Sequence, residues 1–377
     1  MAETERRILV SDIARMCGVS TTTVSKVING REDVSDKTRR KVERILEQVG
    51  FSKPLASTKI TNTIEIVMPH MANNGTIGIT RACAMQVKDK AIGITITETG
   101  DDEGTDDALL GLLDRNPLGA VVMMSAVSDQ TKSLLASRGI PFVILDPIEE
   151  VGEQYCSVSI DNWTAGFNAT NHLIRLGHRR IATITGPRTA QSSMARFAGY
   201  SAAMGNAGLD WRTMPTASGD YLAEPAYRAA CQLLDLPAEK RPTAIFAFND
   251  LSAVCTYKAA YERNIRIPDD LSVVGFDNVY PAKYMAPALT TIDQPFDLMA
   301  KKAIAMILEA RENNGAVEEP HVILPTRLIV RDSTTAPSDM ANTTNTADAN
   351  TTDTTDSDTP HTAITESQTI ENSTPIA

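Results

Sequence analysis

The sequence predicts a small all-helical head joined by a short hinge to a larger α/β core of doubly wound sheets, followed by a disordered tail. Three observations predict it. Residues 9–50 carry helix signals and no strand pattern, from Thr63 onward short apolar runs alternate with helix-length segments, and from about Ser333 the chain turns to Thr, Asn, Asp and Ser. At 377 residues and 42% hydrophobic, the chain has length for two or three domains and material for a real core.

In the head, a first helix over Asp12–Cys17 has Ile13, Ala14 and Met16 as its apolar positions, and Gly18-Val19-Ser20 breaks it. Ser20 is an N-cap for a second helix from Thr21 to Ile28, which ends at the C-cap pair Asn29-Gly30. A third helix is capped by Ser35, has Val42, Ile45, Leu46 and Val49 on one face, and stops at Gly50.

Strand-like runs then follow at Ile64–Met68, Ile92–Ile96, Ala120–Met124, Phe142–Leu145, Ile181–Ile184, Ala244–Phe248 and Val273–Phe276. Between them lie helix-length segments, among them Ala82–Lys90, Trp163–Leu176, Phe197–Ala207 and Leu251–Glu262. Buried parallel strands separated by helices imply doubly wound sheets, whose ligands bind at the carboxyl ends of the strands. The tail over 333–377 has too few apolar groups to offset its ordering entropy.

Charge divides with the domains. Residues 1–60 hold 12 Lys and Arg against 8 Asp and Glu, while the remainder holds 24 against 39. A basic head on an acidic body suits a protein that offers one end to a polyanion. The five cysteines are scattered with no metal spacing, so neither a disulfide framework nor a zinc site is expected, and no cofactor either. The longest nearly apolar stretch, Leu118–Val127, is half a membrane span, and the N-terminus has no apolar signal region. The expected location is the cytoplasm.

Asp12–Gly30 meets the requirements of a helix-turn-helix. Ala14 is small where two helices pack closely, Gly18 permits the tight turn, Val19 fills the space between helices, and Val24 and Val27 face inward. Thr21, Thr22, Ser25 and Lys26 are left outward. This run resembles the signature of the lactose-repressor family at nearly every position. The resemblance implies base contacts from Thr21, Thr22 and Lys26; Ser20, Thr23, Ser25 and Asn29 suit phosphate contacts, which fix register. It also implies a homodimer or higher even oligomer on an inverted-repeat operator, and a hinge helix that wedges a Leu into the minor groove. Two departures stand out. The usual Thr cap of the first helix is replaced by Leu9, leaving Ser11 to cap a shortened helix. The hinge, Phe51–Ser57, is about five residues short, so Leu55 after Pro54 is either the wedge or part of a plain linker.

The core extends the resemblance to that family's effector domain, a periplasmic-binding-protein-like fold. Its landmarks are Leu176–Ala182, Ala247–Asp250, Asp270–Asp277 and Leu289–Gln294. The implied plan is a head over 8–53, a hinge over 54–61 and a core over 62–332. The core's subdomains are 62–161 with 291–323, and 162–290 with 324–332. Polar residues stand at strand ends, where a sugar needs carboxylates and amides for hydroxyls, an Arg fork and an aromatic face. By resemblance Asp146, Arg196, Tyr221, Asn249 and Asp277 match effector-contacting positions, with His70 and Trp163 as looser candidates. Each has a plainer reading: Asp as a helix cap, Asn249 as a turn residue, and Tyr221, Trp163 and His70 as packing.

No catalytic set competes: His172 and His178 have no nucleophile at a strained turn, and there is no GxSxG, phosphate loop or metal spacing. A transport solute-binding protein would share the core but lack the head and need an export signal. A sugar-modifying enzyme would need an acid/base pair. Within the family, the controlling partner is either a sugar or a phosphorylated carrier protein, and the sequence leaves both open. The expected mechanism is closure of two subdomains around an effector, altering the spacing of two heads in a dimeric repressor.

Overall fold

The computed structural model describes residues 10–28, 34–49, 60–72, 74–100, 104–149 and 151–338. The head is three helices, α1 (Val10–Cys17), α2 (Thr21–Ile28) and α3 (Asp36–Gln48). Ile13, Ala14, Cys17, Val24, Val27, Ile28, Val42 and Leu46 close its core, with Val10, Val19, Ile45 and Val49 packed around it. Two details differ from expectation. Cys17, not Met16, is the buried residue of the last turn, and Met16 is 56% exposed. Ser11 lies inside α1 instead of capping it, because Val10 packs on the head core and carries the helix back one residue further. Asn29, Gly30 and the hinge with Leu55 lie outside the described residues.

The core follows as β1 (Thr61–Met68), α4 (Asn74–Val87), β2 (Gly93–Glu98), α5 (Gly104–Leu110), α6 (Leu112–Arg115), β3 (Pro117–Met123), α7 (Asp129–Ser137), β4 (Phe142–Leu145) and β5 (Cys156–Ile160). Next come α8 (Asn162–Arg175), β6 (Ile181–Thr185), α9 (Gln191–Asn206), β7 (Thr216–Ser218), α10 (Ala223–Leu234), β8 (Ala244–Ala247), α11 (Asp250–Glu262) and β9 (Ser272–Asp277). The chain ends its regular structure with β10 (Thr290–Asp293), α12 (Phe296–Glu312), β11 (His321–Leu324) and β12 (Arg327–Ile329).

These strands form two six-stranded sheets, β11-β5-β4-β3-β1-β2 and β12-β10-β9-β8-β6-β7. All pairings are parallel except β10 with β12. Their central strands are buried along most of their length, as expected where helices cover both faces. Each sheet with its helices makes a lobe, and the chain crosses between lobes three times: after β5, after β10 and after β11. The second crossing falls after Asp293, not at 290, because Thr290–Asp293 pairs with Val274–Asp277 of the second sheet. The third falls after Leu324, which pairs with Ile160 of the first.

The core also runs further than composition suggested. Ser333 is wholly buried, its hydroxyl donating to the Val273 carbonyl (2.6 Å) and accepting from Thr290 N–H (2.8 Å). Thr335 N–H donates to the Ser272 hydroxyl at 3.0 Å. Residues 333–335 are therefore a strap on the second lobe, and the polar tail begins later; residues 339–377 lie outside the described residues.

Candidate functional site

The head presents α2 through a well-formed turn. Gly18 has φ +60°, Gly18 N–H donates to the Arg15 carbonyl (3.2 Å) and Val19 N–H to the Ala14 carbonyl (3.0 Å). That is the paired-bond helix stop in which a left-handed residue satisfies the orphan carbonyls. Ser20 then caps α2, its hydroxyl accepting from Thr23 N–H at 3.0 Å and lying 2.8 Å from the Thr23 hydroxyl. Val24, Val27 and Ile28 face the head core. Thr21 and Thr22 are exposed on the first turn, and Thr23, Ser25 and Lys26 are half-buried. Arg15, Lys37, Arg40, Lys41 and Arg44 are exposed on the same head.

The second site is a cleft between the lobes, about 480 Å³ of space that is partly open to solvent. It gathers Asp146, Arg196, Tyr221, Asn249 and Asp277, residues separated by up to 131 positions in the chain (146 to 277). Asp146 follows β4, Asn249 follows β8, Asp277 closes β9, and Arg196 lies on α9. Four lining residues have positive φ without being glycine: Met124 (47°), Asp146 (53°), Tyr221 (60°) and Asp277 (110°). Backbone strain of this kind persists only where the surrounding structure enforces it, and four of the ten such residues among those described line this cavity.

Arg196 is the centre of the polar side. It is 3% exposed; its Nε donates to Asn162 Oδ1 (2.8 Å) and its Nη1 to the Phe248 carbonyl. The guanidinium carbon lies 3.5 Å from the Phe276 ring centroid and 5.6 Å from that of Tyr221. Asp146 and Asp277 flank this cation. Burial pushes both carboxyls up, Arg196 pulls both back down, and Asp277 is raised further by Asp250 and Asp146. Asp250 is itself buried and pushed up to about 7 by burial, against hydrogen bonds from Thr291 and Val279. Its role is structural: it accepts from Val279 N–H (2.9 Å) and the Thr291 hydroxyl (2.6 Å), tying the start of α11 to β10.

Asn249 is a helix cap at the wall of the cavity. Its Oδ1 caps α11 through Ser252 N–H (2.9 Å), while its Nδ2 donates to the Tyr221 carbonyl (3.3 Å) at the cavity wall. The Tyr221 ring packs on Gly186, where an added Cβ would stand 2.2 Å from the ring, and its hydroxyl is 3.4 Å from that of Ser192.

His70 and Trp163 do not line the cleft. His70 is at the surface 3.9 Å from Glu98, and Trp163, 45% exposed, stacks on Phe167 one helical turn away. The sequence reading missed Thr76, Ser192 and Gln294 as polar lining residues, Asn162 as the partner behind Arg196, and the apolar wall of Ile79, Met123, Met299 and Phe296. Gln294 stood in a quoted landmark and was passed over. Asn162 was hidden because β5, Cys-Ser-Val-Ser-Ile, is too polar to read as a buried strand.

Both parts of the chain match known proteins. Residues 10–53 match the model for bacterial regulatory proteins of the lacI family, and residues 170–334 match the periplasmic-binding-protein-like domain. The HTH-type transcriptional repressor PurR of Klebsiella pneumoniae (strain 342) is 32% identical over 331 residues, 86% of this chain and 96% of that protein. The structure of the transcriptional regulator CelR in complex with cellobiose superposes with TM-score 0.66 at 28% identity, covering 87% of this chain and all of CelR. The lac repressor dimer bound to operator and an anti-inducer gives TM-score 0.63 at 25% identity over 88% of this chain and all of that one. Among the described residues no helix is long and apolar enough to cross a membrane. With its helix-turn-helix head, its two-lobed core and full-length relatives above 30% identity, the chain belongs to the lacI family of bacterial transcriptional regulators.

Proposed function

We propose that this regulator is a cytoplasmic repressor that binds an inverted-repeat operator as a homodimer and is controlled by a sugar-class effector held between its lobes. The observation that carries the effector reading is the meeting of Asp146, Arg196, Tyr221, Asn249 and Asp277 at one interlobe cavity. Carboxylates, an amide, a guanidinium and an aromatic face are the groups that recognise a hydroxyl-bearing ring. Cellobiose in CelR is consistent with that class. Occupancy of the cleft favours one relative angle of the lobes, and the heads of a dimer follow that angle; a ligand acts only through its preference for one state. Thr21, Thr22 and Lys26 are the base-reading side chains of this proposal, and the hydroxyls of Ser20, Thr23 and Ser25 hold phosphates.

Footprinting with the full chain tests the DNA half. Two symmetric protected half-sites are expected, with affinity falling steeply as salt rises, since each neutralised phosphate releases counterions. Thr22→Ala is expected to change base preference at one position per half-site, whereas Ser25→Ala weakens all sequences alike. A single protected half-site at saturation, or salt-indifferent binding, would overturn this reading.

A further inference from the structure

The last residue of α2 is held from outside the head. Ile28 ends the helix, so its carbonyl is one of those that the helix itself leaves without a partner. Arg138 of the first lobe donates to that carbonyl through Nε at 2.7 Å. A guanidinium at a helix C-terminus satisfies an orphan acceptor and faces the negative end of the helix dipole. Arg138 is half-buried; burial lowers its pKa, Asp114 of α6 opposes that, and the group stays charged. Around this bond the head and the lobe are parted by a groove partly open to solvent, with Val27, Arg39 and Leu46 on one side and Ser133, Leu134 and Tyr155 on the other. The bond is a point of attachment beside a gap, not one of many contacts in a packed interface.

Arg138 is fixed in its turn by α7, whose C-terminal end it caps. Thr131, Lys132 and Leu135 bury one face of that helix, so α7 moves with the first lobe. Its opposite end starts beside the cleft. The N-cap Ser128, which accepts from Thr131 N–H at 3.2 Å, stands four residues after the lining residue Met124. Buried Lys132 lies 3.8 Å from Glu149, three residues after the lining residue Asp146. A nine-residue helix, about 14 Å long, thus joins the wall of the cleft to the carboxyl end of α2.

We propose that Arg138 is a positioning residue for DNA reading: it caps α2 from the first lobe, so that the head turns with that lobe without relying on the hinge. This rests on the reading of α2 as the base-contacting helix. Thr21 and Thr22 are exposed at the other end of α2, so the grip on Ile28 leaves them open to DNA. Holding one end of an eight-residue helix sets the direction of its first turn.

Hydrogen exchange on the full chain, read by mass spectrometry, tests the grip, and DNA binding tests its use. In Arg138→Ala the amides of Val27 and Ile28 are expected to exchange about fivefold or more faster than in the parent, from loss of a charged hydrogen bond, with α7 unchanged. Arg138→Lys, which can still donate to the carbonyl, is expected to recover part of that protection. Equal rates in all three chains overturn the proposal, and so does faster exchange in α7 as well, which marks a general loss of stability. For binding, the parent chain selects a duplex from a random-sequence library. Arg138→Ala is expected to bind the selected duplex about tenfold weaker, and a mixed-sequence duplex within about twofold of the parent, because a misaimed Thr21 and Thr22 lose base edges while phosphate contacts remain. Equal losses on the two duplexes make Arg138 a phosphate contact, and no loss on either makes the grip irrelevant to reading; both overturn the proposal. A parent chain that selects no sequence overturns the DNA reading itself, and the proposal with it.

Discussion

The Arg196 guanidinium satisfies Asn162 Oδ1 and the Phe248 carbonyl, covers the Phe276 ring, and offsets two carboxyls that burial pushes up. Removing it leaves those acceptors and acids uncompensated inside the protein, so Arg196→Ala is expected to destabilise the core by about 3–5 kcal/mol. Asp277→Asn has the opposite sign. A carboxyl whose folded pKa is raised is most favourable to folding at low pH and loses that advantage as pH rises through its folded pKa; the amide does not ionise. At pH 7 the Asn variant is expected to melt above the parent and Arg196→Ala below it, and thermal unfolding monitored by circular dichroism compares them directly. At this scale the sequence reveals which residues gather at strand ends, because those positions follow from strand boundaries. It cannot reveal that Arg196 is already committed to protein partners, since Asn162 and Phe248 are 34 and 52 residues away.

What aims Arg196 is the contact between α8 and α9, and two glycines set it. A Cβ on Gly166 would lie 2.2 Å from the Arg196 carbonyl, and one on Gly199 would lie 2.1 Å from the Trp163 carbonyl. The helices therefore touch backbone to backbone, which holds Asn162 on one within reach of Arg196 on the other. Gly199→Ala is expected to force them apart at a cost of about 1–3 kcal/mol, and to weaken effector binding more than DNA binding. Paired measurements of urea midpoint and of ligand and operator affinity check this; equal loss in both affinities would mean a general unfolding effect. Elements were legible where periodicity is strong: α2 spans Thr21–Ile28 behind its Ser20 cap, and β4 spans Phe142–Leu145. Others escaped for physical reasons. The first turns of α4, Asn-Gly-Thr-Ile-Gly, are poor in helix formers, and Phe296 packs 3.1 Å from the Cβ position of Gly78, so tertiary contact carries that helix. β10, β11 and β12 are only three or four residues long and gain their identity from the sheets they complete.

Over the whole molecule, the strap at residues 333–335 closes the second lobe by way of two histidines. His178, 1% exposed, lies 2.9 Å from the Thr335 carbonyl and 3.0 Å from the Ser272 hydroxyl through Nε2, and 2.9 Å from the Thr243 hydroxyl through Nδ1. His172 lies 2.9 Å from the Thr334 hydroxyl. The carbonyl must accept, so Nε2 carries the proton and Nδ1 is the acceptor of a neutral ring. Burial lowers the His178 pKa from 6.5 to about 4, and lowers that of His172 in the same direction. A lowered folded pKa means stability is full above the unfolded value and is lost as pH falls toward the folded one. About 3 kcal/mol is expected to disappear between pH 6.5 and pH 4 through His178. Urea unfolding across that range measures it, and His178→Gln is expected to flatten that part of the profile. The same topology bears on the order in which the protein can be made. The first lobe has four of its strands by Leu145 and five by Ile160, yet its edge strand β11 arrives only at 321–324. The second lobe in turn waits for β12 and the strap. A growing chain therefore holds an unfinished sheet edge at β5 through the synthesis of some 160 further residues, and the two lobes mature almost together, within about a dozen residues of each other. Vectorial synthesis, which lets most multidomain proteins complete one unit before starting the next, gives this one no such separation in time.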